Sequence, residues 1–394
     1  MNIIFLSPHA PGFSSTYCFY LKQAGANVLA IGDKQLEESS TEVPFDLTAY
    51  YAVSDMNDYQ QLLRAVGFFI HQYGKIDKIE SLDKQWLETE AKLRSDFNIF
   101  GIKVDFVNNI LHKSRLKFFF NKAGVHTARC LTCHTKTSAR DFIREVGYPV
   151  KMRPEGITDT EQTYIIRSDR EFEGFYRWWQ NPFKCTVEAF IDGRIIAYDG
   201  LIDRFGVVHF AVNLQFGTNQ LHLFNGEETF SYICLRDNDP EVIKAGNKIL
   251  KALDVRERYF HMEFIQSASD GQLFALGVHI QPPEWWITDA INFSYKQNIF
   301  HLWANLLIST GVEVKKESRG SFLTAFVSRS RRKEYVLSHE EVLDAYPGIL
   351  KHGLVNEFDM SPQGNYAYLF RSKSMDEVRQ FIEFVKEERL DYII

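Results

Sequence analysis

The first 33 residues carry a strand–helix–strand pattern, and this pattern requires a parallel β-sheet. "NIIFLS" (2–7) and "NVLAIGD" (27–33) are continuous apolar runs, as in strands buried on both faces, and "STYCFYLKQAGA" (15–26) has apolar residues at helical spacing. Because parallel strands need a crossover, the segment predicts a βαβ unit. The turn "SPHAPGF" (7–13) has a single glycine, so it lacks the G-x-G-x-x-G fingerprint of a dinucleotide site.

The rest of the chain divides into segments with different patterns. Two helical stretches and one more strand continue the βαβ domain, which we expect to occupy residues 1–105. A single helix over "NNILHKSRLKFFFNK", ended by Gly124, opens a compact α+β segment at 106–185. Residues 186–318 are predicted to form an antiparallel sheet, because a three-strand meander at 185–213 precedes a hairpin at 257–283. Strands and helices alternate in a last α+β segment, 319–394.

Charge and cysteine content limit the possible partners and the compartment. The net charge of −6 and the pI near 6.1 argue against nucleic-acid binding, which needs a basic surface. No apolar run reaches the ~18 residues that span a bilayer, and the N-terminus lacks a basic signal-peptide segment, so we expect no membrane partner. Five scattered cysteines favour a reducing cytoplasm. The pair Cys130 and Cys133 has no second C-x-x-C, and we assign it no role.

Five segments with recognisable motifs follow one another between residues 80 and 264. They are an acidic helix before a lone glycine (80–101), "HKSRLKFFFNKAGVHTAR" (112–129), "REVGYPVKMRP" (144–154), "TVEAFIDGRIIAYDGLI" (186–202) and "FHMEF" (260–264). In this order they resemble the ATP-grasp superfamily over the first ~310 residues. The tail "RRKEYVLSHEEVLDAYPGIL" resembles the branch of the amino-acid ligases and of the carbamoyl-phosphate synthase large subunit.

The resemblance implies both a fold and a reaction. The fold is α/β and α+β: a pre-ATP-grasp βαβ domain, a small lid subdomain, a central antiparallel-sheet lobe and a C-terminal α+β segment. The reaction is the ATP-dependent joining of a small-molecule carboxylate to an amine through an acyl phosphate. It needs cations at the phosphates, a glycine-rich lid and oxygen ligands for Mg²⁺. The superfamily also implies a homodimer.

The resemblance assigns ATP binding to a small set of residues. Lys113 matches the family's phosphate-binding lysine, and Arg153 stands at the second such lysine, with Lys151 as an alternative on the same strand face. Glu188 matches the acid of the adenine strand, where backbone groups near Phe190 would bind the adenine edge. The residues alone leave other roles open: exposed helix or edge-strand cations, and for Glu188 a cross-strand ion pair.

The sequence departs from the family pattern at the lid and at the metal-binding hairpin. Where the family has a Gly/Ser-rich loop, "EGITDTEQTYI" (155–165) has one glycine, and the carboxylates of Asp159 and Glu161 would repel a triphosphate, so we expect an absent or altered lid. Glu263 matches the first metal carboxylate. Gly277, His279 and Gln281 replace a second acid, an Asn ligand and a substrate-binding Arg. One Glu and one His make a poor magnesium site, and His279 fits a hydrogen-bonded residue better than a ligand.

Three functions remain open at this point. The first is an ATP-dependent carboxylate–amine ligase with a divergent site, in which Glu263 holds a single Mg²⁺. Its substrate cleft would be lined by Gln281, Trp285 and Trp286. The second is a degenerate ATP-grasp protein that has lost ATP and metal and serves as a binding module or as the subunit of a protein partner. The third is a non-ATP enzyme that uses His261, Glu263 and the second histidine of the hairpin.

Overall fold

A computed structural model of the chain describes residues 1–9, 14–34, 46–154, 163–178, 184–217, 230–283, 285–308, 319–331, 333–355 and 366–389. Its helices are α1 (Ser14–Gln23), α2 (Tyr59–Tyr73), α3 (Leu87–Asp96, after a 3₁₀ turn at Lys84–Trp86), α4 (Val104–Leu111), α5 (Lys113–Lys122), α6 (Lys136–Val146), α7 (Asp169–Trp178), α8 (Pro240–Leu253), α9 (Trp285–Tyr295), α10 (Ile299–Ile308), α11 (His339–Ala345) and α12 (Met375–Lys386). Its strands are β1 (Asn2–Leu6), β2 (Asn27–Gly32), β3 (Ala49–Ala52), β4 (Lys78–Glu80), β5 (Cys130–Cys133), β6 (Val150–Pro154), β7 (Tyr164–Ile166), β8 (Cys185–Ala189), β9 (Gly193–Ile202), β10 (Val208–Phe216), β11 (Ser231–Cys234), β12 (Arg258–Ser267), β13 (Leu273–His279), β14 (Leu323–Arg329), β15 (Ile349–Leu354) and β16 (Tyr366–Ser372).

The N-terminal sheet is parallel, as the βαβ pattern predicts. Its strand order is β3-β2-β1-β4, and every pair runs in the same direction. Strands β1 and β2 are buried almost throughout, which explains their continuous apolar sequences. The mixed α/β and α+β class is therefore confirmed.

A small antiparallel sheet, in the order β5-β8-β6-β7, packs against α6 and α7. Its membership corrects the three-strand meander expected at 185–213, because β8 belongs here and only β9 and β10 form a hairpin. Two contacts explain the difference. The Phe190 amide donates to Pro149 O (3.3 Å) and holds the end of β8 on β6, while a Cβ at Gly193 would lie 2.1 Å from Gln266 O. Residues 190–192 therefore cross from one sheet to the other.

The large sheet is antiparallel, with the order β13-β12-β9-β10-β11-β14-β16-β15. One of its faces shares a core with α1, α9 and α10, and the other packs against α4, α5 and α8. The C-terminal strands β14, β15 and β16 extend this same sheet. Among the helices that the structure describes, none is long and apolar enough to cross a membrane.

The predicted single helix at 108–122 is wrong, because the structure has two helices there. His112 has extended backbone angles (φ −93°, ψ 109°), so α4 ends at Leu111 and α5 begins at Lys113. Gly124 follows α5 with φ +67°, as expected of a residue just beyond a helix C-terminus. The break places Lys113 in the first turn of a new helix, where no side-chain cap of the described residues covers the free amides.

Candidate nucleotide site

A buried ion pair joins the two central strands of the small sheet. Lys151 on β6 lies directly opposite Glu188 on β8, and its amine is 3.2 Å from Oε1. The Lys117 amine reaches the other oxygen, Oε2, at 2.7 Å and also donates to Ala128 O at 3.0 Å. Burial alone would raise the pKa of Glu188, but Lys151 and the lysines of α5 lower it to about 2. Glu188 is therefore a fixed anion between α5 and the small sheet.

Two more cations, Lys113 and Arg153, lie beside this pair. Lys113 is one helical turn before Lys117, and Arg153 is two residues after Lys151 on the same face of β6. Desolvation and the nearby charges of Arg153 and Lys151 lower the pKa of Lys113, although Glu188 opposes the shift. No carboxylate of the described residues lies within 4.0 Å of the Lys113 or Arg153 cation. The cluster thus carries more positive charge than Glu188 neutralises.

The crossing between the sheets lies beside these cations. Phe190, its first residue, is half-buried, and the Lys151 amine is 5.9 Å from the centroid of its ring. Ile195 and Ile196, seven and eight residues after Glu188, are each 4% exposed and lie in the core. The crossing therefore offers backbone groups and an aromatic ring to a base, whereas those two positions offer no carboxylate.

The hairpin of β12 and β13 forms as predicted and carries a histidine between two carboxylates. His261 Nδ1 is 2.8 Å from Asp199 Oδ1 on the neighbouring strand, and its Nε2 is 3.6 Å from Glu263 Oε1. Burial opposes the charged ring, but Asp199 and Glu263 raise the pKa of His261 well above its ordinary value. Burial likewise acts against ionised Glu263, yet the bond and charge of His261 lower its pKa to about 2. His261 thus lies between two carboxylates, and Asp199 is the closer of them.

The opposite strand brings a glycine and an exposed histidine to this carboxylate. Gly277 lies directly across from Glu263, and His279 lies across from His261 with ring centroids 5.8 Å apart. A Cβ at Gly277 would have Glu263 Oε2 and His279 Nε2 at 3.9 Å each. The position of the family's second acid is therefore open space between an oxygen and an imidazole.

The predicted substrate residues have different environments. The Nε2 of Gln281 is buried without a hydrogen-bond partner among the described residues, which makes it an unsatisfied donor. Trp286 is 6% exposed and packs edge-on against Phe326 in the core, so it offers a substrate little surface. Trp285 is only partly buried, and the amine of Lys351 on β15 lies 4.8 Å from its ring centroid. We keep Gln281 and Trp285 as candidate substrate contacts.

Whole-chain structural similarity identifies the fold. The structure superposes on an L-amino acid ligase from Bacillus licheniformis with a TM-score of 0.74 and 16% identity, over 100% of this chain and 99% of that one. On the ADP complex of N5-carboxyaminoimidazole synthetase from Staphylococcus aureus the TM-score is 0.70, with 12% identity over 96% and 95% of the two chains. The chain has the ATP-grasp fold.

The sequence comparisons are weaker than the structural ones. No family model matches the sequence. The carbamoyl phosphate synthase large chain of Agathobacter rectalis is 25% identical over 118 residues, which cover 29% of this chain and 11% of that protein. The ATP-grasp assignment therefore rests on the fold of the whole chain.

The donor set of the β12–β13 hairpin does not fit Mg²⁺. Hard cations take several oxygen ligands, but Glu263 is the single acid on the facing strands of the hairpin, and His261 lies against one of its oxygens. Within the described ranges, no group of three His, Cys, Asp or Glu side chains could hold a metal ion. We therefore derive no step through a metal.

Lys117 and Asp199 complete the cleft, although the ATP-grasp motifs did not point to either as a site residue. Lys117 could have been found from its spacing, because it is four residues after Lys113 on one helix. Asp199 is an acid in the buried run of β9, 1% exposed, and such an acid needs a partner from the next strand. Its partner, His261, follows only from the register of β9 and β12.

A cavity of about 750 Å³ elsewhere is a poorer candidate than the cation cluster. It lies between α8 and the strands β9 and β10, and its lining includes Tyr198, Phe205, Asn247 and Arg256. Two pairs of its polar residues already contact each other: Tyr198 donates to Asn247 and Arg256 pairs with Asp254. Charge and unsatisfied donors therefore favour the cleft between the small sheet and the β12–β13 hairpin.

Proposed function

We propose that this chain binds ATP in the cleft between the small sheet and the β12–β13 hairpin, and uses it to join a carboxylate to an amine. The carrying observation is the excess of positive charge at Lys113, Lys117, Lys151 and Arg153 around one carboxylate. Like charges held together in a partly desolvated cleft repel each other, and an anion that binds them relieves this cost. A triphosphate supplies such an anion.

Different residues of the cleft bind different parts of the ligand. Lys113 and Arg153 bind phosphate oxygens, aided by the uncapped amides at the start of α5. The Phe190 amide already donates to Pro149 O, so other backbone groups near Phe190 bind the adenine edge. At the other end of the cleft, Gln281 donates its unsatisfied N–H to the substrate and Trp285 provides an apolar wall. This division follows the carboxylate–amine ligase chemistry of proteins with this fold.

Calorimetric titration with ATP tests the binding step. We expect a Kd near 1 μM, about −8 kcal/mol, and a loss of at least about tenfold in Lys113→Met. Lys122→Met is the matched control, because Lys122 is exposed at the far end of the same helix. An unchanged Kd in Lys113→Met would contradict the proposed phosphate site.

A second candidate is an ATP-grasp protein that binds its ligand without turnover, or that serves a protein partner. The open position at Gly277 favours it, because the family's second metal acid is missing. Phosphate release from ATP in the presence of amino-acid mixtures separates the two functions. Release that depends on both a carboxylate and an amine supports the ligase. Binding without release from any pair supports the second function, and a pull-down then searches for the partner.

The compartment and assembly are further proposals. All five cysteines are free thiols, and four of them are buried, which supports the reducing cytoplasm predicted from their spacing. The homodimer stays a prediction from the superfamily.

A further inference from the structure

The β12–β13 hairpin places a histidine against its own carboxylate. The two ring nitrogens of His261 face Asp199 and Glu263, at 2.8 and 3.6 Å. A metal ion bound to a carboxylate lies about 2.0–2.6 Å from the oxygen. His261 Nε2 therefore occupies space beside Glu263 Oε1 that such an ion would need.

The other oxygen of Glu263 faces a space that lacks a second acid. Gly277 has no side chain, and the point where its Cβ would lie is 3.9 Å from both Glu263 Oε2 and His279 Nε2. A divalent cation at that point would have one carboxylate oxygen on one side and an imidazole on the other. His279 is exposed to solvent on β13.

The cleft already supplies the positive charge that a phosphate tail needs. The positive charge of Lys113 lowers the pKa of both anions of the cleft, Glu188 and Glu263. The negative charge of Glu263 in turn acts to raise the pKa of Lys151. The two anions therefore share one set of cations. Adding Mg²⁺ would bring a further positive charge next to lysines, whereas adding phosphate would neutralise them.

We propose that this cleft binds the phosphate tail of its nucleotide without a divalent cation, with His261 occupying the space beside Glu263 Oε1 and His279 contacting phosphate oxygens in place of the metal. This inference rests on the proposed function, because it describes how the same site holds its nucleotide. It distinguishes this chain from an ATP-grasp site whose carboxylates must be bridged to phosphate by metal.

Titration of the purified protein with ATP, once with excess EDTA and once with excess Mg²⁺, tests the inference. We expect the two Kd values to agree within about threefold. Binding that weakens by about tenfold or more in EDTA would overturn the metal-free site and leave the proposed function intact. No binding in either buffer would overturn the proposed function, and the inference with it.

Two variants locate the effect in the hairpin. His279→Ala is expected to weaken ATP binding in EDTA by about tenfold, while His71→Ala, at an exposed position on α2, leaves it unchanged. Gly277→Glu places a second acid opposite Glu263, so binding should be lost in EDTA and regained with Mg²⁺. Equal Kd values for His279→Ala and wild type in EDTA would contradict the role of His279. The wild-type comparison decides the inference even if Gly277→Glu does not fold.

Discussion

Glu188 organises the cations of the cleft. It pairs with Lys151 across the small sheet and with Lys117 from α5, so it ties the helix to the sheet. Its side chain is 11% exposed, and solvent therefore screens these pairs less than surface pairs. A bound phosphate would compete with Glu188 for the same amines. We accordingly assign Glu188 to positioning the lysines rather than to contact with the ligand.

We expect Glu188→Gln to lower stability at neutral pH and to reduce the effect of acid. The folded-state pKa of about 2 lies below the ordinary value of 4.5, so ionised Glu188 stabilises the fold above pH 4.5. That contribution, about 3 kcal/mol by linkage, is lost as the pH falls from 4.5 toward 2. Melting temperatures of the variant and wild type should therefore converge in acid.

The control for this prediction is Glu145→Gln. Glu145 pairs with Arg129 on the surface, where both side chains are more than half exposed, so its removal should change stability little at any pH. A constant difference in melting temperature between Glu188→Gln and wild type across the acid range would show that the carboxylate charge is not the stabilising feature.

Sequence alone pointed to individual residues of the candidate site but not to their partners. The motifs pointed to Glu188 and Glu263, and a strand pattern suffices to place such residues on known faces. The pair formed by His261 and Asp199 depends on the register between two strands 60 residues apart in sequence, and no local pattern encodes that register. The charged groups around Glu263 could therefore not be predicted from the sequence alone.

At the scale of elements, α8 packs unusually close to the large sheet. A Cβ on Gly246 would lie 2.2 Å from Tyr198 Cδ1, so glycine is needed for the approach of helix and strand. The Tyr198 ring is 1% exposed, packs at a tilt against Phe260 and donates a hydrogen bond to Asn247, so these contacts hold it in place. The missing side chain at Gly246 thus sets the distance between α8 and β9.

We expect Gly246→Ala to destabilise the protein by about 1–3 kcal/mol, because the added methyl overpacks the contact with Tyr198. Gly67→Ala is the matched control in α2, where the position is exposed and nothing lies within 4 Å of the new methyl. That change should stabilise by about 0.5–1 kcal/mol through helix propensity. Urea unfolding of both variants measures the difference. Stabilisation by both substitutions would mean that α8 shifts away from the sheet without cost.

Periodicity predicted most element types correctly and failed where the chain changes direction. The apolar spacing of 108–122 continues through His112, and so two helices were read as one. Strand β8 was assigned to the wrong sheet for a similar reason. Its sequence is an ordinary strand, and only the hydrogen bond of Phe190 to Pro149 and the close approach at Gly193 show that the chain crosses there. Both are tertiary contacts.

At the scale of the whole molecule, a buried ion network joins the N-terminal unit to the large sheet. Arg258 on β12 contacts Glu80 (2.7 Å) and Glu90, and Arg94 on α3 contacts the same two acids at 2.8 and 2.5 Å. All four side chains are at most 4% exposed. A second buried pair, between β4 and the residue before β12, lies across the same interface. The relative position of the two units thus depends on charges that water does not screen.

We expect Arg258→Met to destabilise this interface by about 3–5 kcal/mol. Methionine fills similar space, but it leaves Glu80 and Glu90 buried with only Arg94 as counter-charge, and an uncompensated buried charge is costly. Lys92→Met is the control on α3, the helix that carries Glu90 and Arg94, because Lys92 pairs with Glu88 at 2.9 Å while both side chains are about half exposed. Urea unfolding, monitored by intrinsic fluorescence, should show a lower urea midpoint for Arg258→Met than for wild type. The midpoint of Lys92→Met should be almost the same as that of wild type. If the N-terminal unit then separates first, the unfolding curve gains an early step that wild type lacks. Identical curves for the two variants would mean that apolar contacts alone hold the units together.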